Sequence, residues 1–414
     1  MAGFLCHAFA VTKQVGLNDR MDSPRHHAAS MRKLKLLPIS TRNLRQEPDM
    51  YATTKFAGNE SSVAVTLAVD LAKDVFELAF ADAAGRIVER RRLKRGPFAQ
   101  CLVNRAPLSI VMEACGSAHA WARHFMRLGH TVKLLPAQHV RPYVRRNKTD
   151  RADAAGLLEA ARCGDIRPVP VKTTGQQGTQ GLHRIREHHK AERTAAINLV
   201  RGLLREFGAA IPAGADKIRP AVLAALEDGD NDLPMPLRHA LAGLLQRIAS
   251  CEEAMAAIEK QLADIARDDT RCQRLMAANG VGLITATAMS AGIGDFARFP
   301  SGRHFASALG LTPREYSSGG SRKLGRISKR GDVYLRTLLI HGARSALITA
   351  CMARKRGQTL DRTQQWALAL AERKGHNKAV VALANKTARR LWAAEHHGVG
   401  FDPDHLSQRE QAAG

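Results

Sequence analysis

The chain has 414 residues, enough for two or three domains that each bury a core. Apolar residues make up 45% of it and charged residues 24%, which excludes a largely disordered chain. The excess of 63 Lys and Arg over 38 Asp and Glu gives a net charge of +25, which indicates a polyanionic partner but names no activity.

Cysteine usage and hydropathy indicate the cellular compartment in which the protein is expected. The seven cysteines are scattered and include no C-x-x-C pair, which argues against a disulfide framework or a cysteine zinc site and favours a reducing cytoplasm. No apolar run is long enough for a membrane span, so no membrane partner is expected. Residues 1–61 lack a sustained apolar period and are interpreted as a flexible basic extension, and residues 396–414 as a tail.

Residues 62–175 combine strand and helix patterns. An apolar, β-branched run opens the segment, and a turn-forming tetrapeptide at 82–85 separates the next two strands. Three meandering strands followed by strand, helix and strand predict a mixed α/β sheet with helical cover. Trp121 and Phe125, four residues apart in the helix, are predicted to be core rather than a base-stacking platform. The predicted segments are strands 63–70, 74–80, 86–93, 108–112 and 132–135, and helix 118–128.

The rest of the chain has helical patterns. Apolar residues recur at helical spacing over 182–207 and 237–265, which predicts two long amphipathic helices. Such helices usually form a hairpin or an oligomerisation seam, so 176–270 is predicted to be a coiled-coil-like helical region. Residues 271–395 are predicted to form a mainly α-helical C-terminal domain, with a glycine- and arginine-rich stretch at 310–331.

Three histidines lie on the first long helix, at His183, His188 and His189. A zinc site needs several ligands at matched spacing. No carboxylate partner or supporting spacing is evident here, so the histidines are interpreted as part of a solvated basic helix face.

Four carboxylates stand where α/β folds present functional groups. Asp70 and Glu113 end predicted strands, and the carboxyl ends of strands tend to carry sites. Asp150 and Asp153 share one face of a helix that is predicted to start near Thr149. A structural interpretation is also open for this pair, because aspartates in a first helical turn stabilise the helix dipole.

A metal site is the second interpretation of the same acids. Mg²⁺ prefers oxygen ligands and uses few carboxylates, with Mn²⁺ as an alternative ion. Two such ions about 4 Å apart can stabilise the attacking and leaving oxygens of phosphoryl transfer. A negative metal site inside a positive rim suits metal-assisted nucleic-acid chemistry. The basic residues that would bind DNA or RNA around the acids are Arg145, Arg146, Lys148 and Arg151.

Two glycine-containing motifs are candidates for phosphate contact. Gly280 and Gly282 resemble a helix-hairpin-helix turn, in which backbone N–H groups approach a phosphate, and a turn that serves only packing is the alternative. In residues 316–331, glycines, hydroxyls and cations fit a loop held against a phosphate backbone, and a solvated turn is the alternative. The DNA- or RNA-binding candidates of this loop are Arg322, Lys323, Arg326, Lys329 and Arg330.

Three strings together carry a resemblance. Residues 69–76 (VDLAKDVF), 112–116 (MEACG) and 147–153 (NKTDRAD) are similar to the DEDD transposases of bacterial insertion sequences. The similarity is to the insertion sequence 110 family, closer to its 1111 subgroup, and covers about residues 63–395. It implies a RuvC-like, ribonuclease-H-type N-terminal domain whose metal-binding acids are Asp70, Glu113, Asp150 and Asp153.

The resemblance also implies a nucleophilic serine in the C-terminal domain, in a Ser-Gly context. Ser318, directly before Gly319, fits that position best, with Ser317 and more distantly Tyr316 as rivals. The implied site takes its serine from a different protomer, which predicts a homo-oligomer, either a dimer or a tetramer. The implied partners are duplex DNA, from the element ends and the target, and a structured guide RNA, in the cytoplasm at the bacterial nucleoid.

Three functions are consistent with these observations. The favoured one is a transposase that cleaves and rejoins DNA. A second is a metal-dependent, structure-specific endonuclease of the Holliday-junction resolvase type, in which water attacks and Ser318 only contacts phosphate. A third is a nucleic-acid-binding protein whose acids are structural. Covalent attachment of the protein to DNA separates the first from the second, and metal-dependent cleavage separates both from the third.

Overall fold

The computed structural model describes residues 54–55, 63–144, 150–402 and 404. The strands are β1 Thr54–Lys55, β2 Thr66–Asp70, β3 Val75–Ala81, β4 Ile87–Lys94, β5 Ser109–Glu113, β6 Thr131–Leu135, β7 Pro313–Glu315 and β8 Leu324–Ile327. The α-helices are α1 Arg95–Gln100, α2 Ala118–Arg127, α3 Ala137–Val140, α4 Asp150–Arg162, α5 Thr174–Glu206, α6 Ile218–Glu227, α7 Met235–Asp268, α8 Thr270–Met276, α9 Leu283–Ile293, α10 Gly302–Ala308, α11 Val333–Lys355, α12 Arg362–Lys374 and α13 His376–His397. Within these ranges, no helix combines the length and the apolar character that a membrane span requires.

Strands β1 to β6 form one mixed sheet in the order β1-β4-β3-β2-β5-β6. Strands β2, β3 and β4 are antiparallel neighbours, as a meander predicts. Strands β5 and β6 continue the sheet in parallel on the other side of β2, because α2 carries the chain back between them. The predicted strands and the helix between the last two are confirmed, with small shifts at their ends.

The two faces of the sheet are covered by different helices. Side chains alternate along a strand, and one face packs on α1 and α2 through Phe76, Phe98, Trp121 and Phe125. Trp121 is 2% exposed and Phe125 is 0% exposed, which confirms that both are core residues. Burial of such a side chain contributes about 1.5–3 kcal/mol.

Helix α4 covers the opposite face. Its residues Ala154 and Leu157 are buried against Ala68 of β2 and Val111 of β5. Alanines are common on this face of the sheet, and Ala79 of β3 belongs to the same buried cluster. Small side chains let the helix backbone approach the strands closely, so α4 lies directly over β2.

Helices α5 and α7 form a long hairpin. The Thr173 side chain accepts a hydrogen bond from the Gln176 N–H and forms a capping box that starts α5. At the far end, Val200 and Leu204 of α5 are buried with Leu241 of α7. Ion pairs join the two helices between these ends. They include Arg186–Glu259, Arg193–Glu252 and Glu192–Arg247, each at 2.6 Å.

Helices α8 to α13 share a second large core, which buries Phe305, Leu339 and Leu391. Residues 316–331, interpreted above as a loop, instead contain the turn and the second strand of the antiparallel hairpin β7–β8. Nearly all of its strand side chains are exposed, so it has no apolar alternation from which strands can be predicted. The domain limits proposed from the sequence stay a prediction.

His183 has a different environment from the one expected for it. It is 3% exposed, between α5, α9 and α11, so the solvated position expected for it is wrong, whereas His188 is exposed. Thr287 donates its hydroxyl proton to the Leu283 carbonyl at 2.8 Å and therefore accepts from His183 Nε2 at 3.0 Å. His183 Nδ1 then accepts from the Tyr334 hydroxyl at 3.0 Å. The neutral imidazole is thus fully hydrogen-bonded.

Acidification is expected to weaken the folded state through this histidine. Burial lowers the pKa of His183 from 6.5 to about 4, so between these values the unfolded chain binds the proton more readily. The stabilisation is complete above about pH 6.5 and is lost as the pH falls toward about 4. At pH 5 the loss is about 2 kcal/mol at most, since one pKa unit corresponds to about 1.4 kcal/mol.

Urea unfolding at pH 7 and pH 5 measures this loss. Burial also lowers the pKa of His119 to about 4. His119 therefore adds a second pH-dependent loss of stability, which replacement of His183 does not remove. The difference between the two pH values should therefore shrink, but not vanish, in His183→Gln. An equal difference in the wild type and the variant would contradict the assignment.

Candidate active site

Two of the predicted acids lie side by side at one edge of the sheet. Strands β2 and β5 are parallel, and Val69 pairs with Met112. The next residue of each strand is Asp70 and Glu113, so the two acids end adjacent strands. By alternation both lie on the face that α4 covers, and both are half-buried.

Helix α4 brings the other two predicted acids to the same edge. It begins at Asp150, and Thr149, near which the sequence predicts its start, lies outside the described residues. Asp153 is half-buried in its first turn. The last residue of α4, Arg162, lies against Gly85 in the β3–β4 turn, at the end of the sheet opposite to Asp70 and Glu113. The first turn of α4 therefore lies at the edge where the two strand acids stand.

The predicted basic rim is described only in part. Arg145, Arg146 and Lys148 lie outside the described residues, and Arg151 is exposed on α4. Arg90 of β4 reaches across the sheet and donates from Nη1 to the Arg151 carbonyl at 3.3 Å. Burial lowers the pKa of Arg90, and the charge of Arg151 lowers it further. A guanidinium nevertheless keeps its charge in proteins, so a cation stands beside the acidic edge.

A fifth acid, Glu77, lies on the same face and is not among the predicted residues. It is the cross-strand partner of Asp70, and such partners have Cβ atoms about 4.5–5.5 Å apart. Its charge raises the pKa of Arg90, in opposition to burial. The sequence contains a signal for it, because Phe76 and Leu78 are core residues and Glu77 between them must face the other way.

Ser318 lies at the tip of the β7–β8 hairpin. The backbone N–H groups of Ser318 and Ser321 each donate to the other residue's carbonyl, at 3.3 and 3.0 Å. Gly319 and Gly320 between them have φ values of 55° and 76°. Positive φ at both central positions is typical of a type I′ turn, which glycine adopts without a steric penalty. Ser318 is exposed, and its hydroxyl has no hydrogen-bond partner in the described part of the chain.

The neighbouring serine has a different environment. Ser317 donates its hydroxyl proton to Glu315 Oε1 at 2.7 Å and accepts from the Lys323 N–H at 3.1 Å. Its hydroxyl therefore ties the two strands together below the tip. The more distant rival, Tyr316, has a ring that is 61% exposed. Of the two serines, Ser318 is the one that presents a free hydroxyl to solvent.

The hairpin is cationic and borders a groove of about 1390 Å³ between β8, α10 and α13. The described residues that line this groove include Arg303, Lys378 and Arg389 and no Asp or Glu. A groove lined with cations attracts a polyanion. The predicted basic residues of the hairpin and of the segment after it are all exposed: Arg322, Lys323, Arg326, Lys329 and Arg330.

Within the described residues, the hairpin tip has no hydrogen bond or ion pair with the acidic edge. Among the described residues, every hydrogen bond and ion pair of segment 316–322 stays inside the hairpin. The structure thus places the first turn of α4 beside the ends of β2 and β5, and the contacts described for the hairpin tip do not include this edge.

The glycine motif serves packing at one of its two positions. Gly280 has a φ of 83° and faces the backbone of Gly342 in α11, where a Cβ on either glycine would clash. Gly282 instead is exposed at the N-terminus of α9. The packing interpretation therefore applies to Gly280, and phosphate contact at Gly282 stays a prediction.

Comparison with known proteins gives two matching family models. A model described as "Transposase IS116/IS110/IS902 family" matches residues 272–358, which include Ser318. A DEDD-type IS110 model described as "Transposase" matches residues 67–208, which include all four predicted acids. A DEDD-type domain suggests a divalent metal ion, and a transposase is expected to bind DNA.

Individual relatives agree with these models. A probable family 20 transposase of Pseudomonas aeruginosa is 44% identical over 331 residues, 79% of this chain and 95% of the relative. The transposase for insertion sequence element IS1111A of Coxiella burnetii is 41% identical over 79% of this chain and 88% of its own length. The transposase for insertion sequence element IS1328 of Yersinia enterocolitica is 36% identical over 81% of this chain and 98% of its own length. The resemblance inferred from the sequence is confirmed, and the chain belongs to the IS110 family of insertion-sequence DNA transposases.

Proposed function

We propose that this transposase cleaves and rejoins DNA through a composite active site. A RuvC-like, ribonuclease-H-type domain supplies the acids Asp70, Glu113, Asp150 and Asp153, and the β7–β8 hairpin supplies Ser318 as the nucleophile. The observation that carries the proposal is the convergence of the acids at one edge of the sheet. The ribonuclease-H-type assignment is supported by the mixed sheet, whose two parallel central strands end in acids beneath a crossing helix.

The acidic edge has the donor set of a Mg²⁺ site. Its predicted ligands, Asp70, Glu113, Asp150 and Asp153, offer only carboxylate oxygens, which Mg²⁺ prefers and Mn²⁺ also accepts. Bound ions would stabilise the negative charge that develops on the phosphate. Arg90 stands beside these acids, and the charge of Glu77 raises its pKa.

Ser318 has the chemistry for a covalent step. Its Oγ attacks phosphorus and forms a serine–phosphate ester, while the phosphorus–oxygen bond to the adjoining sugar breaks. The serine loses its proton, and the departing sugar oxygen gains one. Arg322 and Lys323, on the same hairpin, are placed to neutralise the phosphate. The reverse reaction with a different strand end rejoins DNA without an external energy source.

The serine is proposed to come from a second protomer of a dimer or tetramer. The exposed position of Ser318, whose hairpin has its described hydrogen bonds and ion pairs within itself, is compatible with this arrangement. Helices α5 and α7 are the proposed oligomerisation region, because large apolar side chains remain exposed on them: Ile185, Leu199 and Ile265, at 49%, 51% and 37%.

Mixing two inactive variants tests this arrangement. Asp70→Asn retains Ser318, and Ser318→Ala retains the acids. If the site is shared between protomers, co-expression of the two variants restores recombination in part, because a mixed oligomer contains sites with both groups intact. If each chain builds its own site, the mixture stays as inactive as either variant alone, and the shared site is wrong.

Duplex DNA and a structured guide RNA are the proposed partners. The net charge of +25 and the cationic groove are compatible with both, and the guide rests on the family resemblance alone. Deleting the noncoding flank of the element separates the two, because DNA binding would persist while site-specific recombination would stop.

The groove is expected to contribute phosphate contacts. Arg326→Gln and Lys378→Gln should each weaken DNA binding similarly for all sequences, and each should reduce the salt dependence of log K by about 1. Lys374→Gln is the matched control, because Lys374 is exposed at the end of α12 but does not line the groove. Fluorescence anisotropy with labelled duplex at several salt concentrations measures the slope. Equal effects of all three changes would remove the groove from the DNA-binding surface.

A further inference from the structure

A mixed cluster of metal-binding side chains joins the two long helices near their middle. It consists of His189 and Glu192 on α5 and Cys251 on α7. One donor atom from each residue lies within 4.8 Å of the other two. His189 and Glu192 are three residues apart and share one side of the helix, whereas Cys251 arrives only through pairing of the hairpin. The spacing of the histidines in the sequence therefore does not predict a metal site, because the third donor comes from the other helix.

The distances within the cluster are close to those around a tetrahedral metal ion. His189 Nδ1 lies 3.4 Å from Glu192 Oε2, and Cys251 Sγ lies 3.9 Å from the same oxygen. Ligands bound to zinc at about 2.0–2.3 Å are about 3.3–3.7 Å apart in a tetrahedron. The third pair, His189 and Cys251, has donor atoms within 4.8 Å of each other, so the side chains must draw together for one ion to bind all three.

A second histidine and a supporting arginine lie beside the cluster. His188 Nε2 lies 3.7 Å from Glu192 Oε2 on the solvent side of the cluster. The other carboxylate oxygen, Oε1, accepts from Arg247 of α7 at 2.6 Å. An outer hydrogen bond of this kind orients a metal-binding carboxylate. The thiol is buried, since Cys251 is 2% exposed, while the histidine side remains open to solvent.

We propose that His189 Nδ1, Glu192 Oε2 and Cys251 Sγ bind one Zn²⁺ ion, with His188 or water as the fourth ligand. Sulfur, nitrogen and oxygen donors in a tetrahedral set favour zinc, whereas the acidic edge offers only oxygens and suits Mg²⁺. On binding, the Cys251 thiol releases its proton to solvent, so affinity falls with falling pH. This site is separate from the proposed catalytic acids and does not depend on them.

The ion would cross-link the middle of the hairpin. Partly exposed ion pairs join the two helices on either side of the cluster, and such pairs contribute little to stability, about 0–1 kcal/mol each. A metal ion held by residues of both α5 and α7 fixes the register of the helices that are proposed to mediate assembly. Metal binding would therefore be coupled to the stability of the folded chain.

Titration of the metal-free, full-length protein with Co²⁺ tests the proposal. Cobalt takes the place of zinc and shows an absorption band when a thiolate binds it. One thiolate band per chain is expected for the wild type, a much weaker one for His189→Gln, and none for Cys251→Ser. Cys351→Ser, which changes a half-buried cysteine of α11, should retain the band. Absence of the band from the wild type, or its persistence in Cys251→Ser, would overturn the proposal.

Zinc-dependent stability gives an independent result that does not need catalytic activity. One equivalent of Zn²⁺ should raise the melting temperature of the wild type and of Arg247→Met, but not that of Cys251→Ser. If the cluster is only an ion-pair network around Glu192, Zn²⁺ leaves the wild type unchanged and Arg247→Met alone lowers its stability. That outcome would exclude a metal site.

Discussion

Asp70→Asn is expected to reduce metal-dependent DNA cleavage by about a hundredfold to a thousandfold or more, with DNA affinity nearly unchanged. Replacing a metal-binding carboxylate removes charge stabilisation from the transition state, and effects of this size are typical of such groups. Asp150→Ala is expected to behave in the same way, because α4 carries its first turn to the same edge. Cleavage of labelled element-end DNA, measured in Mg²⁺ with the flanking noncoding DNA or its transcript present, gives the rates.

Asp74→Asn is the matched control for this prediction. Asp74 is exposed in the loop between β2 and β3, four residues from Asp70, and does not lie on the sheet face under α4. Its replacement should leave cleavage within about twofold of the wild type. Far-ultraviolet circular dichroism confirms that each variant folds. A folded Asp70→Asn protein that cleaves at the wild-type rate would rule out this carboxylate as part of the catalytic site.

Ser318→Ala is expected to abolish both the covalent protein–DNA intermediate and joined products, with a loss of about a thousandfold or more. The alanine removes only a hydroxyl that has no partner in the described chain, so folding and DNA binding should be unchanged. Denaturing gels of a labelled DNA substrate detect the covalent species, and sequencing of plasmid junctions detects rejoining.

Ser317→Ala separates the two serines. Its hydroxyl bridges Glu315 and the Lys323 backbone, so its loss should loosen the hairpin and slow the reaction only moderately. If Ser318→Ala still forms the covalent species and Ser317→Ala does not, the assignment moves by one residue. If Ser318→Ala cleaves DNA normally and even the wild type forms no covalent species, water is the nucleophile and the enzyme acts as a resolvase-type endonuclease.

The sheet could be predicted because its signals are local. Phe76, Leu78 and Phe80 alternate with residues of the other face, and this alternation alone identifies β3. The acids Asp70 and Glu113 follow directly from strand ends. The β7–β8 hairpin has no such signal, since its side chains are exposed on both faces and its turn depends on two glycines with positive φ.

Contacts between distant segments could not be predicted. His183 stands among polar residues on α5, a pattern that is typical of a solvated helix face. It is buried because it packs against Thr287 and Tyr334, which lie 104 and 151 residues away in the sequence. Cys251 meets Glu192 across 59 residues, because two helices pair in one particular register. Helical periodicity specifies which side of a helix is apolar, but not which residue of another helix lies opposite.

By itself the sequence determined the family, the basic character of the chain, strands β2 to β6, the long helices, and the identity of the candidate acids and serines. These depend on residue type and short-range spacing, which a single chain displays directly. Only the tertiary structure decided that α4 lies over β2 with its first turn at the acidic edge, that Glu77 pairs with Asp70 there, and that Ser318 is exposed at the tip of a hairpin. Such placements follow from the packing of buried surfaces against one another, which is set by the whole fold.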